Sequence, residues 1–293
     1  MAAPTFDLQA HSTCSDGTLP PAAVVARAAA AGVELLALTD HDTVDGVTEA
    51  LAEAARHDGL RLVAATELSS LDEDREDLHV LGYGVDHTDP AFLEALTVFR
   101  ADRAARAGRM ADALRAAGWE LDAGPLDARR AAGRPIGRPH LAQAAFGHPA
   151  NAARVAAEGF AEPGGLLEAY LVPGAPAYVR RTTPTVAEAI ATIHAAGGVA
   201  VWAHPFWDLE RDSDVADAID RFAALGLDGV EAFYLTHTRE QTLMVASACA
   251  QRGLLTTGSA DFHGPQHPRF HAFRAFDLHG LTPDLGPIAT WSL

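Results

Sequence analysis

Apolar and polar positions along the chain fall into a recurring order of short buried runs and amphipathic stretches. The alternation "PTFDLQ" reads as a first strand. "PPAAVVARAAAAG" follows as a helix, with proline near its start and Gly32 at its end. "VELLALTD" is a buried-strand run, and "TVDGVTEALAEAARHDG" is a helix closing at Gly59. "LRLVAATELS" and "DLHVLGYGV" are two further strands. The first 88 residues therefore predict parallel βα units. From about Asp89 to Pro176 the pattern is helical, with one long helix closing at Gly118 and shorter pieces punctuated by Gly and Pro. The order then resumes with helix "TVAEAIATIHAAGG", strand "VAVWAHP", helix "VADAIDRFAALG", strand "LDGVEAFY", helix "TREQTLMVASACAQRG" and strand "LLTTGSADFH". About seven strands result, enough for a closed α/β barrel slightly short of the eight-stranded form. The predicted division is a barrel over 1–88 and 177–293 with an all-helical insertion over 89–176.

Composition narrows the chemistry. Apolar residues make up 48% of the 293, enough for a sizeable core. No apolar run is long enough to span a bilayer, and the N-terminus has no basic-then-apolar leader. With two cysteines, Cys14 and Cys249, far apart in sequence, the expectation is a cytoplasmic protein without a disulfide framework. The net charge of −17 opposes binding of long nucleic acids. All 22 basic residues are arginine, so Schiff-base catalysis on lysine and a Walker-type phosphate lysine are excluded.

Metal-ligand residue types sit at successive strand ends. His11 and Asp16 follow the first strand, and Asp40, His41 and Asp42 follow the second. Glu67 follows the third, His79 lies in the fourth, His204 follows "VAVWA", and Asp261 and His263 follow "LLTTGSA". In a parallel barrel these ends share one face, where such folds carry their active sites. A lone histidine after a strand is usually a packing or capping residue; six placements in register are not explained that way. His, Asp and Glu without Cys suit Zn, Mn, Fe or related ions. The ligands outnumber the needs of one ion, so two or three divalent ions are expected, with Glu67 as a bridge. Clustered ions about 3.5–4 Å apart clamp the attacking and leaving oxygens of a phosphoryl displacement and acidify a bound water.

"DLQAHSTCSDG", "LALTDHDTVDG", "ATELS", "LHVLGYG", "WAHP" and "GSADFH" resemble, in order, the motifs of the polymerase and histidinol phosphatase (PHP) superfamily of metal-dependent phosphoesterases. The resemblance implies a distorted seven-stranded (β/α) barrel with a trinuclear metal site. The helical insertion, with "GRPIGRPHLAQ" and "YLVPGAPAYVRR", is similar to the subgroup acting on nucleoside 3′,5′-bisphosphates and short oligoribonucleotides. By motif, Gln9, His11, Glu67 and Asp261 would surround a first ion. Glu67, His79 and His204 would hold a second, and Asp16, His41 and His263 a third. Asp40 or Asp42 is expected to orient the His41 imidazole.

The family usually has His-x-His where this chain has Gln9-Ala10-His11. An amide oxygen suits Mn or Mg better than Zn or Fe. Gln9 either ligates through that oxygen and favours Mn, or misses the ion and leaves a weak first site, or marks an inactive enzyme.

Between Arg100 and Arg138, nine arginines stand against five acids, so this segment is +4 and the remainder −21. A lid that attracts phosphate is one reading; helix-face ion pairs such as Asp102 with Arg106 are the other. Arg134, Arg138 and His140 are expected to bind substrate, with Arg180 and Arg181 as further candidates. His237 is either a phosphate contact and proton donor or a surface-loop histidine. Three rivals stand beside a nucleotide phosphoesterase: a histidinol-phosphate-type phosphatase, a non-catalytic nucleotide- or metal-binding module, and an amidohydrolase-type C–N hydrolase. Many enzymes of the last class bridge their ions with a carboxylated lysine, which this chain lacks.

Overall fold

The computed structural model describes residues 4–73, 75–131 and 136–291, without the side chain of Asp77. Seven strands follow one another in a single sheet in chain order: β1 (Phe6–Asp7), β2 (Leu35–Leu38), β3 (Arg61–Asp72), β4 (Arg75–Tyr83), β5 (Val199–Trp202), β6 (Gly229–Tyr234) and β7 (Leu255–Ser259). The sheet curls into a nearly closed barrel. Just past β1, Leu8 N–H donates to Gly258 O (3.2 Å), and Ala10 bridges Phe262.

The helices are α1 (Pro21–Ala30), α2 (Val47–Ala54), α3 (Pro90–Ala116), α4 (Ala123–Ala131), α5 (Arg138–Phe146), α6 (Ala152–Ala157), α7 (Pro163–Tyr170), α8 (Val186–Ala195), α9 (Pro205–Asp208), α10 (Asp212–Ala224) and α11 (Arg239–Arg252). The sequence signals for their ends operate locally. Pro21 opens α1. In α8, Thr185 and Glu188 form a reciprocal capping box, and in α11 Thr238 and Gln241 do the same. Gly118, at φ +84°, stops the long α3 two residues beyond its last turn. By contrast α2 starts at Val47 rather than Thr43 and ends before Gly59.

The expectation of uniformly parallel βα units fails at β4. No helix separates β3 from β4, and β4 pairs antiparallel with both β3 and β5. Every other pairing is parallel. The physical reason is that β3 ends at Asp72 and β4 begins at Arg75, too close in sequence for a crossover and close enough for a hairpin. β3 is correspondingly long and continues beyond its pairing with β2, which ends at Ala64. The consequence for the site is large. Since β4 runs the other way, its early residue His79 pairs with Ser69 on the extension of β3. Ala203 N–H donates to His79 O, so His79 lies level with the end of β5.

The chain divides into two compact units, residues 1–96 with 184–293 and residues 97–183. The barrel unit packs its first half around Val24, Leu36, Leu38, Leu62 and Phe262. The helical unit has a core of its own built on Leu114, Trp119, Leu141, Leu166 and Leu171. No helix among the described residues is long and apolar enough to cross a membrane.

Candidate metal centre

The strand-end residues converge on Glu67. Its carboxylate is buried, with Oε1 2.7 Å from His79 Nδ1 and 3.3 Å from His204 Nε2. Oε2 lies 3.1 Å from His11 Nε2 and 3.6 Å from His41 Nδ1. One carboxylate thus faces four imidazoles, two on each oxygen. On the Oε2 side, His11 Nε2 is also 3.1 Å from Asp261 Oδ1. Asp16 closes a second group: its oxygens are 3.6 Å from His11 Nδ1, 3.5 Å from His41 Nε2 and 3.5 Å from His263 Nε2. His11, Asp16, His41 and His263 form one set with ligand-atom spacing, and His41, Glu67 and His79 another. His41 belongs to both, its two nitrogens facing Glu67 and Asp16.

Local chain geometry makes this possible. The loop after β1 folds back on itself, and a Cβ at Gly17 would lie 2.3 Å from the His11 carbonyl oxygen, so only glycine allows Asp16 to return beside His11. Asp40 fixes the same loop: its carboxylate accepts hydrogen bonds from Ser12 N (2.7 Å), Ser12 Oγ (2.6 Å) and Ser15 Oγ (2.6 Å). Of the two acids expected to orient His41, Asp40 is taken up by these serines instead. Asp42 Oδ1 accepts from Ser69 N on the β3 extension (3.0 Å). Positive φ occurs at Asp42 (55°), His204 (29°) and Asp261 (53°), an uncommon conformation for side-chain-bearing residues. Such backbone costs on the order of 1–3 kcal/mol per residue and collects where a site over-determines it.

Electrostatics set the charge on each side chain of the cluster. Burial pushes the Glu67 carboxyl up, but the imidazoles of His79, His41 and His11 outweigh it and hold it well below the usual carboxylate range. Burial lowers His41 to about 4, leaving a neutral ring with a lone pair to donate. At His11 burial again opposes charge, yet Asp261 and Glu67 prevail and raise it well above 6.5, so this point draws positive charge. His11 Nδ1 and Nε2, His41 Nδ1, His204 Nδ1 and Asp261 Oδ1 are buried without a formed hydrogen bond. Atoms crowded at about 3 Å without hydrogen-bond geometry are arranged around a point, as ligands are around an ion. The donor set, imidazole and carboxylate, fits divalent first-row metals.

Gln9 is buried in the same group. Its Nε2 donates to Glu67 Oε2 (3.0 Å), and its Oε1 accepts from Ser259 Oγ (3.3 Å). Ser259 Oγ also lies 2.6 Å from Glu231 Oε1, and Glu231 Oε2 accepts from His204 N–H. Glu231 thus sits behind two of the ligand-bearing strand ends.

The other candidates lie elsewhere. His237 is buried, with Nδ1 donating to Ala232 O (3.1 Å) and its ring edge-on to Phe206 and Tyr234. It is neither a surface-loop residue nor part of the cavity lining. Burial lowers it to about 4, so at neutral pH Nε2 carries no proton to give. Arg138 opens α5, where His140 Nδ1 accepts from Gly137 N (3.0 Å). Arg180 is exposed and Arg181 buried. Arg134 lies outside the described residues. Asp102 accepts from Thr182 Oγ1 and lies 4.0 Å from Arg109 Nη2, while Arg106 Nε donates to Val179 O.

Sequence reasoning missed the aromatic wall. The cavity over this cluster, about 140 Å³, is lined by most of these histidines and carboxylates together with Trp207, Tyr234 and Phe270. Tyr234 Oη donates to Asp261 Oδ2 (2.8 Å). "HPFWD", with an aromatic pair immediately after a ligand, was the available signal.

A sevenfold barrel with a buried carboxylate among imidazoles defines the class of metal-dependent hydrolases. Residues 7–115 match the PHP domain family. The 3′,5′-nucleoside bisphosphate phosphatase of Chromobacterium violaceum is 36% identical over 89% of this chain and 87% of that protein. The 5′-3′ exoribonuclease of Haemophilus influenzae is 35% identical over 89% and 90%. A solved amidohydrolase of Chromobacterium violaceum, with bound sulfate and no metal, is 34% identical, covers 92% of this chain and 91% of its own, and superposes with a TM-score of 0.73. The chain belongs to the PHP family of metal-dependent phosphoesterases.

Proposed function

We propose that this enzyme hydrolyses phosphate esters of small nucleotides, either nucleoside 3′,5′-bisphosphates or the ends of short oligoribonucleotides. The observation that carries the reading is the convergence of His11, His41, His79 and His204 on the buried Glu67 carboxylate. The similarity to a bisphosphate phosphatase and an exoribonuclease over nine-tenths of the chain supports the substrate class.

Two or three divalent ions, Mn foremost, fit the donor set. His11, Glu67 and Asp261 are assigned to the first, with Gln9 beside them holding Glu67 through its amide nitrogen while its oxygen faces Ser259. Glu67, His79 and His204 are assigned to the second, and Asp16, His41 and His263 to the third. Such ions, when bound, supply Lewis acidity toward phosphate and an acidified water. The chain's own residues do the positioning. Glu67 fixes the spacing of the imidazoles on either side of it. Tyr234 holds one oxygen of Asp261 and leaves Oδ1 directed at His11. Arg134, Arg138, His140 and Arg180 of the helical unit are assigned to a second phosphate or the nucleotide, since guanidinium forks match phosphate oxygens. The net charge of −17 supports small substrates over long polymers. Cys14 and Cys249 are free thiols, which suits the cytoplasm.

The test is release of phosphate from adenosine 3′,5′-bisphosphate, and of nucleoside monophosphate from a 5′-phosphorylated trinucleotide, by Mn-loaded protein. Release that a chelator abolishes is expected from at least one of them. Release from neither, by protein with its ions bound, would overturn the substrate assignment.

A further inference from the structure

Trp207 is the one aromatic side chain among the described large hydrophobics that stand exposed, and it also lines the metal cavity. Half of its surface, 51%, is open. Tryptophan is seldom left in water without a use, because its ring is the largest apolar surface a side chain offers. Its position is fixed from three sides. Three residues beyond His204, on the short α9, it lies edge-on to the His204 ring at 6.3 Å. Phe270 approaches it at 5.8 Å, and the Arg269 guanidinium sits over the indole at 5.6 Å, within cation–π range. Phe270 in turn is stacked on His267 and meets His263 at 5.4 Å. An aromatic surface therefore runs from the metal cluster out to an exposed indole.

The cavity itself, at about 140 Å³, is well below the roughly 300–1,000 Å³ of pockets that engulf a drug-sized ligand. It accepts a phosphate group but not a nucleoside. Whatever carries that phosphate must rest at the rim, and at the rim stands Trp207.

We infer that Trp207 is a base-stacking residue: it binds the nucleobase of the substrate on its open face while a phosphate enters the metal cavity. This rests on the nucleotide reading above and adds the subsite that takes the base. Stacking on an aromatic face tolerates every base, because each has a π-face. Adenine and guanine are expected to be favoured modestly over cytosine and uracil, through their larger area.

The test compares adenosine 3′,5′-bisphosphate with 1-deoxyribose 3,5-bisphosphate, the same skeleton lacking its base. Aromatic-to-alanine changes at stacking sites cost on the order of 5- to 150-fold in affinity. In W207A the ratio of kcat/KM for the nucleotide over the base-free compound should fall about tenfold, chiefly through KM, and W207F should restore most of it. An equal loss on both compounds would make Trp207 a structural element of α9, and no loss on either would make it idle; each overturns the inference. Binding separates this from the phosphoesterase reading. Adenosine 5′-monophosphate should quench tryptophan fluorescence in the metal-loaded protein but not in W207F, and ribose 5-phosphate should quench neither. If neither bisphosphate is hydrolysed yet that quenching is seen, the substrate reading fails and the stacking site stands. If hydrolysis is seen and the ratio is unmoved, the stacking site fails alone.

Discussion

Around Glu67, His11 Nε2, His41 Nδ1 and Asp261 Oδ1 are buried and lie 3.1–3.6 Å from a carboxylate or imidazole without forming hydrogen bonds. In the helical unit, Arg154 does the opposite. It donates to Ala117 O, Glu158 Oε1 and Tyr170 Oη, and its guanidinium lies 4.1 Å from the Trp119 ring centroid. Arg115 and Arg130 pair with Asp112 and Asp127 one turn earlier on their helices. Both regions concentrate charge, but around Arg154 every guanidinium nitrogen donates, whereas at Glu67 the unmatched atoms of several side chains face one another. Buried polar atoms are costly when unmatched, so a cluster of them points to a ligand, whereas matched charges point to structure.

Mutations sharpen that contrast in order of expected size. Glu67→Ala removes the group that faces four imidazoles, and loss of several kcal/mol of transition-state stabilisation corresponds to a fall in kcat of about 10³-fold or more. Steady-state kinetics at saturating Mn, with bound metal counted in parallel, would check it. Asp40→Ala frees Ser12 and Ser15 in the loop that carries His11 and Asp16; metal affinity should fall about 10- to 100-fold, as for other groups that orient ligands, read by competition with a chelating dye.

His237 gives a pH prediction. Its folded value, lowered by burial to about 4, lies below the ordinary 6.5. The unfolded chain therefore takes up a proton first, and the contribution is complete above about 6.5 and lost as pH falls toward 4. It amounts to about 3 kcal/mol at most. Urea titrations of wild type and His237→Phe should show the variant losing less stability between pH 7 and pH 4.5. Arg154→Ala should cost about 2 kcal/mol of stability through its lost cation–π contact and hydrogen bonds. Arg115→Ala, which breaks only an exposed pair, should stay within about 0.5 kcal/mol, measured by the same titrations.

The barrel and the clustering of its strand-end histidines and carboxylates were legible because both leave local marks: strand runs end, and His, Asp or Glu follows at once. The antiparallel β4 left none, since "DLHVLGYGV" looks the same in either direction and only the short link before it carries the information. That Asp40, one of the two acids flanking His41, serves the loop instead was hidden for a related reason. Adjacency to His41 in sequence suggested contact, but alternate residues after a strand point different ways, and its carboxylate met serines 25 and 28 residues away. Gln9 was visible as a departure from His-x-His, whereas its bond to Glu67 and its link through Ser259 to Glu231 depend on three strand ends meeting in space. Trp207 was overlooked because a tryptophan beside a strand is ordinarily core; only its exposure over the cavity distinguishes it.

The central claim is that divalent ions satisfy the unmatched atoms around Glu67. Equilibrium dialysis of metal-stripped protein against Mn, with bound metal counted per chain, tests it most directly. The account predicts two or three ions per wild-type chain and a loss of at least one in Glu67→Ala. Fewer than two in the wild type, or an unchanged count in the variant, would contradict it.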